Sequence, residues 1–249
     1  DGCGATAPSF SNQSVISTNA DGVYSVYAAD VDGDGDIDAL SASNLDDKIA
    51  WYENTDGLGT FGAEQVISTN VDARGVYAAD IDGDGDLDVL SASFADDKIA
   101  YYENTDGLGT FGPQQVISTN APGALSVYAA DVDGDGDVDV LSASLGDDKI
   151  AWYENTDGLG TFGAQQVIST NADGAFSVNA ADVDGDGDVD VIAASFSDDT
   201  VAYYENTDGL GTFGAKQVIS TNADGALSVY AADVDGDGDV DVLSGSLND

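Results

Sequence analysis

Short runs of β-branched and aromatic residues alternate with clusters of Gly, Asp, Asn and Thr along the whole chain, and the alternation itself repeats. One unit, residues 61–110, holds four such runs: Gln-Val-Ile-Ser at 65–68, Gly-Val-Tyr-Ala-Ala at 75–79, Asp-Val-Leu-Ser-Ala-Ser at 88–93 and Lys-Ile-Ala-Tyr-Tyr-Glu-Asn at 98–104. Each has the length and residue types of a strand, and each is bounded by turn-forming residues. None shows an apolar stripe of helical period and length. The unit recurs after 50 residues and then after 51, three times. Periods of this size mark propellers, solenoids or arrays. Four antiparallel strands per unit, arranged radially, make a β-propeller blade, and a propeller explains how so many short strands avoid exposed edges. The expected fold is therefore all-β, a β-propeller of four-stranded antiparallel blades.

The repeat count gives four complete units plus one incomplete unit. Residues 10–17 align with the fourth strand of a blade (61–68), and the chain closes at Asp249, just after a second strand. A propeller spanning 10–249 follows, preceded by a tail at 1–9. Either a five-bladed ring closes with a strand missing, or the segment belongs to a longer propeller, which is the reading we favour.

Between the first and second runs of every unit stands Asp-x-Asp-Gly-Asp-Gly-Asp-x-Asp. The five copies place carboxylates at Asp30, Asp32, Asp34, Asp36 and Asp38; at Asp80, Asp82, Asp84, Asp86 and Asp88; at Asp131, Asp133, Asp135, Asp137 and Asp139; at Asp182, Asp184, Asp186, Asp188 and Asp190; and at Asp233, Asp235, Asp237, Asp239 and Asp241. Five carboxylates in nine positions repel one another unless a cation holds them. Side chains at positions 1, 3, 5 and 9 with a carbonyl at position 7 form the oxygen set that Ca²⁺ takes, and glycine at position 6 permits the wrap. An EF-hand is excluded, because position 12 is Ser41, Ser91, Ser142, Ala193 or Ser244 rather than Glu, and no helices flank the loop. A calcium-binding strand-loop-strand hairpin is the expectation.

Charge narrows the function. The chain carries 48 acids against five bases, a formal charge of −43. That excludes nucleic-acid binding by phosphate neutralisation and disfavours adsorption to anionic lipid. With 42% hydrophobic residues at repeating positions the chain is not a disordered acidic one. No apolar run is long enough to span a membrane, and the absence of an initiator Met or leader pattern reads as a mature or excised segment. Cys3 has no partner for an internal disulfide, and Asn12 heads the sole glycosylation sequon. There is no His, and the single Cys sits in the N-terminal tail, so triad and Cys-His nucleophile chemistry is impossible. The chain is expected not to be an enzyme.

Asp-x-Asp-Gly-Asp-Gly-Asp-x-Asp-Val-Leu, then Ala-Trp-Tyr-Glu-Asn-Thr, then Phe-Gly, resembles the FG-GAP/VCBS repeats of integrin-alpha-type β-propellers. The Phe-Gly pairs stand at Phe61-Gly62, Phe111-Gly112, Phe162-Gly163 and Phe213-Gly214, with Phe10-Ser11 as the departure. The resemblance implies Ca²⁺ in the first hairpin loop of each blade, held in the first copy by the side chains of Asp30, Asp32, Asp34 and Asp38 and the carbonyl of Asp36. It also implies an extracellular or cell-surface binding or adhesion role, without naming a ligand; the partner expected here is a protein or surface glycan, or a further copy of the chain by self-association. A sugar-binding lectin and a self-assembling component of a surface layer or appendage are the alternatives.

Two further features are read as packing and as contact. One ring of each pair Trp51/Tyr52, Tyr101/Tyr102, Trp152/Tyr153 and Tyr203/Tyr204 is expected between blades, since neighbours on a strand point to opposite faces. The repeats differ most at the blade-to-blade connection and after the second strand, where Arg74, Phe94, Leu145, Phe176 and Phe196 share the rim opposite the acidic loops. Apolar residues there are candidates for a ligand face.

Overall fold

The computed structural model describes residues 13–69 and 71–248. Four antiparallel meanders follow one another. The first joins β1 (Val23–Ala29), β2 (Asp38–Ser43), β3 (Lys48–Tyr52) and β4 (Gln65–Thr69); the second joins β5 (Ala73–Ala79), β6 (Asp88–Ser93), β7 (Lys98–Tyr102) and β8 (Gln115–Ser118). The third comprises β9 (Ala124–Ala130), β10 (Asp139–Ser144), β11 (Lys149–Tyr153) and β12 (Gln166–Ser169), and the fourth β13 (Ala175–Ala181), β14 (Asp190–Ser195), β15 (Thr200–Tyr204) and β16 (Gln217–Ser220). A two-stranded hairpin, β17 (Ala226–Ala232) with β18 (Asp241–Ser246), completes the described chain. No helix occurs among the described residues.

The first strands begin two residues earlier than the apolar pattern predicts. Ala73 pairs with Ser93 across a bulge before Gly75, so Arg74 lies inside the strand. Gly75 is required there for a packing reason: a Cβ would stand 2.9 Å from the Leu125 carbonyl of the next sheet. The expected N-terminal strand is not formed at 13–17; its beginning at 10–12, the tail at 1–9, Cys3 and Asn12 lie outside the described residues.

Sheets stack through their faces, and the core is divided among the junctions. At the first junction Leu40, Ala42, Ile49 and Trp51 of one sheet meet Ala73, Val76, Val89 and Tyr102 of the next. The same positions repeat at the second, third and fourth junctions. Both rings of the first three aromatic pairs are therefore buried, in the second and third pairs one toward each neighbouring sheet; in the fourth, Tyr204 is buried and Tyr203 half-buried. This exceeds the expectation of one ring per pair, because every complete sheet has a neighbour on at least one face and strand alternation serves both faces. The outer faces show the converse. Val26 is 71% exposed whereas its counterpart Val76 is 5% exposed, because no earlier sheet covers β1 among the described residues.

First strands pack side by side in order, β1 on β5, β5 on β9, β9 on β13 and β13 on β17. Tyr27, Tyr77 and Tyr128 stack along this line, with ring centroids 4.3 and 4.7 Å apart, and Asn179 takes the fourth place. Burial and mutual hydrogen bonding push the Tyr77 hydroxyl far above the ordinary tyrosine range.

Candidate metal centre

Each acidic loop is the turn between the first and second strands of its sheet. The chain reverses by wrapping backbone N–H groups around its own carboxylates. In the first loop Gly35 N–H donates to Asp30 Oδ2 at 3.0 Å, Asp34 N–H to Asp32 Oδ1 at 3.3 Å and Asp36 N–H to Asp34 Oδ1 at 2.8 Å. Gly33 and Gly35 have φ of 71° and 95°, which a side chain would strain. The same wrap forms in all five loops.

Position 9 is the anchored carboxylate. Asp88 is 1% exposed; its Oδ2 accepts the Ile81 N–H at 3.0 Å and its Oδ1 accepts the Asn104 N–H at 2.8 Å. Asp38, Asp139 and Asp190 have the same two donors in their own sheets. Burial pushes Asp88 and Asp139 up to about 7; the two backbone donors oppose this and nearby loop carboxylates add to it. Asp38 and Asp190 are raised for the same reason. Asp32, Asp82 and Asp133 are raised by burial and by neighbouring carboxylates.

In every loop the carboxylates of positions 1, 3 and 9 converge, with one oxygen from each lying within 4.8 Å of the others. These triads are Asp30, Asp32 and Asp38; Asp80, Asp82 and Asp88; Asp131, Asp133 and Asp139; Asp182, Asp184 and Asp190; Asp233, Asp235 and Asp241. Positions 5 and 7 stand outside the triads. The position-7 carboxylate turns toward the tight turn between the third and fourth strands, where a Cβ on Gly57, Gly107, Gly158 or Gly209 would collide with it. That orientation leaves position 7 only its carbonyl to offer. Asp30 Oδ1 and Asp131 Oδ1 are buried acceptors with no hydrogen-bond partner among the described residues. An all-oxygen, multiply charged donor set with unpaired buried oxygens fits a hard divalent cation.

The FG-GAP-like repeat family matches residues 30–91, 82–142, 132–193 and 182–244, each match running from one acidic loop into the next unit. The chain belongs to the FG-GAP-like repeat family. Among solved structures, this FG-GAP-like repeat chain is similar to the biofilm matrix protein Bap1 of V. cholerae, with 22% identity, a TM-score of 0.50 and coverage of 83% of this chain and 30% of that one. It is also similar to NanB, solved with Optactamide, with 13% identity, a TM-score of 0.54 and coverage of 79% and 32%. Both likenesses are of fold, and the chain spans about a third of the length of each. No curated protein matches it.

The FG-GAP-like repeats contain functional residues that sequence reasoning passed over. Asn54, Asn104, Asn155 and Asn206 each donate a backbone N–H to the position-9 carboxylate of their own loop. Their Oδ1 accepts a turn glycine N–H, as from Gly109 to Asn104 at 3.1 Å. The signal was present in the unvaried Glu-Asn-Thr that follows each third strand.

The opposite rim also differs from a set of free loop residues. The Arg74 guanidinium lies 4.8 Å from the ring centres of both Tyr24 and Phe94, and its Nε bonds Asp72 Oδ1 at 3.2 Å. Phe176 stands 6.1 Å from Tyr24 and 6.3 Å from Phe196. These side chains form one contiguous patch of which Tyr24 is 42% exposed and the phenylalanines are half-buried.

Proposed function

We propose that this chain is a non-enzymatic, extracellular calcium-binding repeat module that serves adhesion through contact with a protein or surface glycan. The convergence of three carboxylates in each of five equivalent loops carries the calcium reading. The family supports the module character, and likeness in fold to a biofilm matrix protein supports an adhesive setting outside the cell. The reading includes a radial propeller arrangement, supported by the single line of packed first strands and by the Tyr24–Phe176 contact, which joins the first sheet to the fourth. Calcium here is structural: it neutralises the loops and fixes the hairpins.

Side-chain ligands at positions 1, 3, 5 and 9 and a carbonyl at position 7 make an ordered prediction. Asp135→Ala weakens calcium binding at the third loop by about tenfold or more, as expected for loss of a charged ligand. Asp137→Ala has the smaller effect. Calcium titration of both variants checks this, and an equal or reversed order means the loop has been assigned in the wrong register.

For the contact surface we propose the patch of Tyr24, Arg74, Phe94, Phe176 and Phe196, since aromatic rings and Arg are what protein and glycan contacts enrich. The chain immobilised in millimolar Ca²⁺ is expected to retain a glycan, a matrix protein or a second copy of itself, read by glycan array, pull-down and sedimentation. Phe94→Ser with Phe196→Ser should weaken that retention about tenfold or more while calcium binding persists. Unchanged retention by this variant removes the patch from the reading. Loss instead on Leu108→Ser with Leu159→Ser, whose side chains are 68% and 69% exposed on the metal rim, would move the contact there.

A further inference from the structure

Three asparagines touch two acidic loops at once. Asn155 is fully buried; its Nδ2 donates to the carbonyl of Ile81, in the loop at 80–88, at 2.8 Å, while its N–H donates to Asp139 Oδ1, in the loop at 131–139. Ile81 in turn donates its own N–H to Asp88 Oδ2. Asn104 joins the loops at 30–38 and 80–88 in the same way, bonding the Val31 carbonyl at 2.9 Å and Asp88 at 2.8 Å. Asn206 joins those at 131–139 and 182–190 through the Val132 carbonyl and Asp190. The buried carboxylates of four successive loops are thus linked through Val31, Ile81 and Val132 and the three asparagines, each of which hydrogen-bonds on both sides. A second contact follows the same path: the turn of each sheet covers the preceding loop, and a Cβ on Gly83 would lie 3.1 Å from the Gly158 carbonyl.

Electrostatics alone would make neighbouring loops oppose one another. The first bound cation weakens the negative field that attracts the second, so independent loops bind with slight negative cooperativity that salt screens. A shared rigid link acts in the other direction. A cation that fixes one position-9 carboxylate fixes the asparagine bonded to it, and with it the backbone of the adjacent loop.

Resting on the calcium reading above, we propose that Asn104, Asn155 and Asn206 are positioning residues that couple neighbouring loops, so that calcium at one raises the affinity of the next. A coupling of this kind raises affinity by about fivefold or more. Breaking one link therefore uncouples only the two loops it joins.

The test is a double-mutant cycle read loop by loop. Calcium is titrated into the full chain where the metal-free protein keeps its β-sheet signal. The N–H resonances of Gly85 and Gly187 are followed, because each donates to the first carboxylate of its own loop. Asp135→Ala, by weakening the loop between them about tenfold, leaves it largely empty while its neighbours fill. With Asn155 intact, both glycine midpoints shift about fivefold or more toward higher calcium. With Asn155→Ala, the Gly85 response to Asp135→Ala disappears while the Gly187 response persists through Asn206. A merely structural asparagine would move both glycines alike. Should Asn155→Ala fail to fold, Asn206→Ala gives the mirror test: the Gly187 response to Asp135→Ala disappears while the Gly85 response persists through Asn155. Gly85 unmoved by Asp135→Ala when Asn155 is present, or moved equally in both backgrounds, overturns the coupling and leaves the metal reading standing. If neither glycine responds to calcium, both fall together.

Discussion

In millimolar Ca²⁺ the protein melts on the order of 20 °C higher than in EDTA. A ligand that binds only the folded state stabilises by mass action, at about 2.7 kcal/mol per site when present at about 100 times its dissociation constant. Calcium modules of extracellular proteins bind at roughly 10⁻⁴ to 10⁻³ M, so several loops together contribute roughly 10 kcal/mol at about 10 mM calcium. Relief of repulsion in a chain of formal charge −43 acts in the same direction. Thermal melts in EDTA, in Ca²⁺ and in Mg²⁺ at matched ionic strength check this. Mg²⁺ should do less, because it loses water reluctantly and demands near-ideal octahedral geometry. Equal melting temperatures in EDTA and Ca²⁺ would remove structural calcium from the account.

Without calcium, raising the pH should destabilise the fold. Asp88 and Asp139 titrate near 7 when folded and near 3.8 when unfolded, because folding buries them. Between those values the folded state holds more protons than the unfolded one, so stability falls as pH rises toward 7 and levels off above it. Asp38 and Asp190 act with the same sign. In EDTA the melting temperature is expected to drop on the order of 10 °C from pH 5 to pH 8. With calcium the sign reverses, since the metal takes the deprotonated ligands and binds more tightly as they ionise. A flat or rising profile in EDTA would mean that the position-9 carboxylates are not buried as described.

Much of the fold was legible because its determinants are local. The Val-Leu-Ser-Ala-Ser and Lys-Ile-Ala runs are strands by residue type, and the acidic nonapeptide by itself dictates a tight reversal. Gly75 was legible as a strand residue but not as the point of closest approach to Leu125, because nothing beside it in sequence announces the next sheet. The Asn104 bond to Val31 was hidden for the same reason: its partner lies 73 residues away. Position 9 was read as one ligand among five, whereas folding buries it and leaves position 7 facing the turn. Tyr24 and Phe176 come from the first and fourth sheets, so their meeting is a property of the sheet arrangement rather than of either segment.

The near-identity of the sheet junctions also bears on how the chain reaches its structure. Leu40, Leu90, Leu141 and Ile192 occupy the same place at four successive interfaces, so the second sheet can dock on the third sheet's partner with little loss of contact energy. A landscape with such equivalent wrong pairings is frustrated, and repeat proteins of this kind misassemble by skipping a unit. The few positions that break the symmetry then act as register marks. Asn179 interrupts the tyrosine stack, Arg74 bridges Tyr24 and Phe94 alone, and Pro122 meets Gly146 where the other sheets lack that pair. Homogenising them to the consensus should leave the native contacts almost unchanged and yet slow refolding, as chains commit to a shifted order and must unravel to escape it.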